Sequence, residues 1–188
     1  LLVSGSNMSG KSTLLRSLGV SAVLAQMGGP VAAGELRLPP MTIATSMRVH
    51  DSLEDGVSFF MAELQRLKEI VDMSRAHRGD NARVLFFLLD EILQGTNSVE
   101  RHIAVIRVLR HLVGQGAMGA ISTHDLDLAR SEDLEPHCDA VYFREQIARV
   151  DGSGQMTFDY RIRDGVATTT NALRLLELVG LSDVEDDL

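Results

Sequence analysis

The feature that most constrains this chain is Gly5-Ser-Asn-Met-Ser-Gly10-Lys11-Ser12, which satisfies the pattern G-x-x-x-x-G-K-[ST] in full. It follows an apolar run, Leu1-Leu2-Val3, and opens a stretch from Lys11 to Gln26 with Leu14, Leu15, Leu18 and Ala22 at helical spacing. Strand, glycine turn and helix form the context in which this pattern has a physical meaning. The glycines let the loop curl so that backbone N–H groups face an anion, and the helix N-terminus adds its partial positive charge. Lys11 is placed to reach the β- and γ-phosphates of a nucleotide, and the Ser12 hydroxyl to ligate Mg²⁺.

The rest of the chain alternates in the same way. Strands are predicted over Met41 to Val49, Val84 to Leu89, Ala117 to Ser122, Ala140 to Arg144 and Met156 to Ile162, the last two flanking a turn at Asp151-Gly152-Ser153-Gly154. Helices are predicted over Ser58 to Ala76, Ser98 to Val113, Asp125 to Arg130 and Asn171 to Val179. In the first of these, Met61, Leu64, Leu67, Ile70 and Val71 share one face. The continuously apolar Val84 to Leu89 suits a strand buried on both sides. The reading is an α/β fold with a mostly parallel central sheet flanked by helices.

Two further groups follow buried strands. Asp90, at the end of Leu88-Leu89-Asp90-Glu91, would lie beside the phosphate loop and hold Mg²⁺ directly or through water, with Glu91 placed to polarise an attacking water. In Ser122-Thr123-His124-Asp125, His124 can donate to a γ-phosphate oxygen; spacing alone equally allows a helix-capping turn in which His124 is incidental.

Composition narrows the classes. With 26 acidic and 18 basic residues among 188, the net charge of −8 is poorly suited to holding a polyanion by counterion release. Tyr142, Tyr160 and six phenylalanines offer few platforms for stacking bases. A single cysteine, Cys138, excludes an internal disulfide framework and reads as a packed or half-buried thiol. His50, His77, His102, His111 and His137 lack ligand spacing and are assigned to solvated faces. No run approaches 18 apolar residues, so no membrane contact is expected from this piece, and a cytoplasmic location is. The start at Leu1, within a strand-like run, reads as a cut from a longer chain.

Taken together, Ser6 to Thr13, Leu24-Ala25-Gln26-Met27-Gly28, Ser58-Phe59-Phe60-Met61-Ala62-Glu63-Leu64, Leu89-Asp90-Glu91 and Ser122-Thr123-His124 resemble the ATPase domain of the MutS family of DNA mismatch repair proteins. The resemblance extends to Gly165 through Thr170 and to Gly180-Leu181. It implies an ABC-type P-loop ATPase over residues 1–181, an acidic tail over 182–188, and a homodimer with two ATP molecules at its interface. Carried over residue by residue, Gly5, Ser6, Asn7, Met8, Ser9, Gly10, Lys11, Ser12 and Thr13 cradle the nucleotide, with Ser12 and Asp90 on Mg²⁺. Glu91 is the base, Lys11 the phosphate-binding cation and His124 the switch histidine. Ser58 matches the serine that meets the partner's γ-phosphate, although by sequence alone it reads as a helix N-cap. Gly95-Thr96-Asn97 matches a loop that crosses the dimer interface.

The family's usual Leu-Gly-Arg-Gly-Thr-Ser after Asp-Glu is Ile92-Leu93-Gln94-Gly95-Thr96-Asn97 here, its Ser-Thr-Phe is Ser58-Phe59-Phe60, and its Ala-Thr-His-Tyr is Ser122-Thr123-His124-Asp125. These departures spare the phosphate chemistry and suggest a divergent branch. DNA would be held by modules upstream of Leu1. The competing expectation is a nucleotide-dependent switch or scaffold without mismatch recognition, tied to a membrane or protein complex by upstream segments. A small-molecule P-loop kinase is disfavoured, since Arg75, Arg78 and Arg83 make a thin lid.

Overall fold

The computed structural model describes residues 1–47, 59–79, 82–150 and 153–167. Six strands, β1 (Leu2–Ser4), β2 (Met41–Ser46), β3 (Val84–Asp90), β4 (Met118–Thr123), β5 (Ala140–Val150) and β6 (Ser153–Asp164), form one sheet in the order β2-β3-β4-β1-β5-β6. All neighbours are parallel except β5 and β6. Four helices accompany it: α1 (Lys11–Gln26), α2 (Phe59–Ala76), α3 (Ser98–Gly114) and the single turn α4 (Leu126–Ala129).

The sheet is covered on both sides, and strand alternation decides which side chain goes where. Leu85, Phe87 and Leu89 of β3 pack with Leu2, Ile121, Leu67 and Ile70 of α2, and Val105, Leu109 and Leu112 of α3. The intervening Leu88 packs with Val3, Ala120, Val141 and Leu15 of α1. The apolar run predicted to be buried on both faces is therefore buried by α2 and α3 on one and by α1 on the other.

The core also corrects the predicted face of α2. Leu67 and Ile70 are buried, but Met61 and Leu64 are exposed near the helix start. Two histidines are not on solvated faces: His77 bridges Thr42 Oγ1 (2.8 Å) and Met73 O (2.9 Å), and His111 Nε2 is buried. Cys138 is a half-buried free thiol against the larger core.

Helix α1 keeps its predicted bounds. Its N-cap is Gly10, at φ 106°, with no side-chain cap and no acidic residue in the first turn, so its leading N–H groups stay uncommitted to side chains. Helix α3 begins differently: Asn97 accepts from Glu100 N at 2.8 Å, an ordinary N-cap. Strands β5 and β6 run well past the predicted segments as one antiparallel hairpin, with a register shift between Phe143 and Glu145. Ser58, His50 and the predicted helix Asn171 to Val179 lie outside the described residues, as does the acidic tail.

Sheet register positions the site. Asp90 is opposite Ser122, and Thr123 opposite Ser4, so the carboxyl ends of β3, β4 and β1 form one line at a single sheet edge. The glycine loop leaves β1 at that edge, which is where parallel sheets present ligand sites.

Candidate active site

Residues of the glycine loop and the start of α1, Glu63 of α2, Asp90, Glu91 and Gln94 after β3, and Tyr160 of β6 line a cavity of about 540 Å³ at this edge. Lys11 is only 4% exposed. Its Nζ donates to Gly5 O (2.9 Å) and Ser6 O (2.8 Å), and lies 3.1 Å from Glu91 Oε1. Three oxygen partners fix the buried Nζ in place. Ser12 Oγ donates to Asp90 Oδ1 at 3.0 Å, and Ser122 Oγ donates to the same oxygen. Ser122 Oγ also accepts from Glu91 N at 3.2 Å, so one serine of β4 holds both acids of the β3 end.

Glu91 and Leu93 have φ of 48° and 59°. Each left-handed non-glycine residue costs about 1–2 kcal/mol, so surrounding contacts must hold this loop. The bend carries the Glu91 carboxylate toward Lys11. His124 Nδ1 is 3.7 Å from Glu91 Oε1, while Asp125 accepts from Asp127 N and Leu128 N and caps α4. Asp125 caps the turn, and His124 stands beside the acid.

Of the residues singled out in the sequence, Asn7, Met8, Gly10, Lys11, Ser12, Thr13, Asp90 and Glu91 all line the one cavity. Met8 is 84% exposed at φ 67°, an apolar side chain displayed by the loop rather than buried under it. Gly5 and Ser9 are buried, and Ser6 supplies a carbonyl to Lys11. His124 lies beside a neighbouring groove with Ser98, Arg101 and Asp125, and reaches the site through Glu91. Thr96 Oγ1 donates to Glu100 Oε2 at the start of α3.

Four lining residues, Arg16, Gln94, Tyr160 and Glu63, have no site role in the sequence analysis. Tyr160 of β6, 65% exposed at φ 53°, approaches so closely that a Cβ on Gly10 would sit 3.2 Å from its ring. Its position depends on the length of the hairpin, which periodicity underestimated. Glu63 of α2 is 4% exposed, and burial pushes its carboxyl above the ordinary range. Its signal was present: Glu63 falls on the stripe Phe60, Leu67, Ile70, where an acid needs a reason.

The MutS domain V family model matches residues 1–185. This chain belongs to the MutS domain V family. The DNA mismatch repair protein MutS of Streptococcus sanguinis (strain SK36) is 33% identical over 186 residues, covering 97% of this chain and 20% of that protein. MutS of Bacillus cytotoxicus is 30% identical and MutS of Bacillus anthracis (strain CDC 684) 31% identical, each over 184 residues, 97% of this chain and 19% of theirs. This MutS domain V chain thus spans about one fifth of the length of those relatives. Among its described residues no helix is long and apolar enough to cross a membrane.

Proposed function

We propose that this chain binds Mg²⁺-ATP and hydrolyses it on a P-loop NTPase fold of ABC type. The observation that carries the reading is the convergence on one cavity of Lys11 with Glu91 and of Ser12 with Asp90, from α1 and the end of β3. The nucleotide's phosphates lie against the start of α1, whose N–H groups and Gly10 backbone accept close approach. Lys11 offers its ammonium to the β- and γ-phosphates.

The residues fit Mg²⁺. Ser12 Oγ and Asp90 Oδ1 are hard oxygen donors 3.0 Å apart at the cavity edge, and a site with so few protein ligands suits an ion that keeps water and phosphate oxygens in its shell. Among the described residues no cluster of three or more acids, histidines or cysteines would cage a metal without the nucleotide. When bound, Mg²⁺ supplies charge neutralisation at the phosphates. Glu91 accepts the proton of the attacking water, and His124 donates to a γ-phosphate oxygen from the far side of Glu91. Tyr160, whose ring lies close to Gly10 in the same lining, offers an aromatic surface to the nucleotide.

The second half of the reading concerns assembly. Ser58 of one copy completes the other copy's site, giving a homodimer with two composite sites. Residues 1–181 are the ATPase domain and 182–188 an acidic tail. In a MutS-like protein five times this length, nucleotide state is coupled to DNA held by the remaining modules, in the cytoplasm. The alternative, a nucleotide switch without mismatch recognition, predicts no effect of DNA on turnover.

The test is single-turnover ATP hydrolysis by the full-length protein, wild type and Glu91→Gln, with homoduplex, mismatched and no DNA. Glu91→Gln keeps ATP binding and slows hydrolysis by roughly 10²-fold or more, the worth of a positioned general base. An unchanged rate means that another group activates water. DNA-independent turnover favours the switch.

A further inference from the structure

Helix α2 reaches the base through one buried acid. Glu63 Oε1 accepts the backbone N–H of Leu93 at 3.2 Å, and the N–H of Gln94 also points at this carboxylate. Oε2 has no partner, although the side chain is 4% exposed and lines the nucleotide cavity. A second contact lies one turn earlier. A Cβ at Gly95 would sit 2.9 Å from Phe60 Cβ, so the loop passes against α2 with no room for a side chain. The segment so gripped is the one with left-handed Glu91 and Leu93, a conformation that needs outside support. Leucine at position 63 would satisfy the core stripe but would leave the buried N–H of Leu93 without its acceptor.

We infer that Glu63 is a positioning residue for hydrolysis: by capping the N–H groups of Leu93 and Gln94 it locks the loop 91–95 in the bend that sets the Glu91 carboxylate beside Lys11. It acts through Glu91. The inference rests on the proposed role of Glu91 as base. It makes the start of α2 and the water-activating group parts of one rigid unit, so a displacement of α2 is felt at the reacting centre.

The experiment uses the full-length protein carrying Glu63→Asp, Glu63→Gln or Gly95→Ala, each alone and combined with Glu91→Gln. Glu63→Asp keeps the charge but withdraws it by one methylene, and Gly95→Ala pries the loop from Phe60. Each should bind a fluorescent ATP analogue within about twofold of wild type and hydrolyse in a single turnover about tenfold more slowly. Glu63→Gln restores an acceptor at the Oε1 position and should recover most of that rate. In the Glu91→Gln background neither slow variant should slow the residual reaction further, because residues acting as a unit are not additive. A general loss of stability would instead multiply through both backgrounds and would weaken binding as well. The assignment falls if Glu63→Asp and Gly95→Ala hydrolyse at the wild-type rate, or if their slowing persists in the Glu91→Gln background. Wild-type hydrolysis by Glu91→Gln alone would overturn the base assignment itself, and is separable because it involves no change at Glu63.

Discussion

Lys11 Nζ donates to the loop's own carbonyls at Gly5 and Ser6. The glycine loop is thus folded around the ammonium, while the phosphate pattern alone describes the lysine as a probe extended toward a ligand. Removing the side chain takes away both the charge offered to the phosphates and the group that gathers these carbonyls. Lys11→Ala should therefore abolish measurable Mg²⁺-ATP binding, checked by equilibrium titration with a fluorescent analogue. Near-normal affinity would mean that this loop is not the nucleotide site. At this scale the sequence was most informative where chemistry is local. The residues from Asn7 to Ser12 needed only their own spacing, and Asp90 and Glu91 only the strand before them. Glu63 was not found because its partners, the N–H groups of Leu93 and Gln94, are thirty residues away and backbone groups carry no sequence signature.

Among the elements, α1 kept its predicted bounds, since its boundaries are set by neighbouring residues: Gly10 before it and Gly28-Gly29-Pro30 after it. The hairpin did not. Arg144-Glu145-Gln146 breaks the apolar alternation of β5, so its further pairing with β6 is carried by backbone ladder bonds that periodicity cannot register. Within β6 the left-handed Tyr160 is braced on both sides by one acid. Asp159 accepts from Arg161 N at 3.0 Å and pairs with Arg163 at 2.5 Å. The Arg163 guanidinium, with that N–H, holds the Asp159 carboxyl down at about 2. A depressed carboxyl contributes stability above its unfolded value, near 4, that is lost as pH falls through about 2. Arg163→Ala should return the Asp159 midpoint toward the ordinary range in a carboxyl-resolved NMR titration, and weaken the brace under Tyr160. A midpoint that stays near 2 would show that Arg163 is not the cause.

For the whole molecule, a second copy supplying Ser58 is the proposed closure of the cavity. A C₂ arrangement makes two ATP molecules part of the interface, so assembly and nucleotide are thermodynamically linked. The Glu91→Gln chain should sediment largely as monomer without ATP and accumulate dimer with it, and Ser58→Ala should weaken that dimer while sparing first-site binding. Wild-type specific activity should rise with protein concentration. Concentration-independent turnover by a strict monomer would sink the composite site. Strand β1, three residues long, is completed only when β4 and β5, more than a hundred residues later, pair on its two sides. Closing so large a loop is entropically slow, and the contacts that repay it come last. Within these residues the phosphate loop is synthesised before most of the sheet, yet it has no fixed frame until β4 and β5 have followed it. A growing chain therefore has no use for nucleotide as a folding aid, and a half-made copy cannot compete for it.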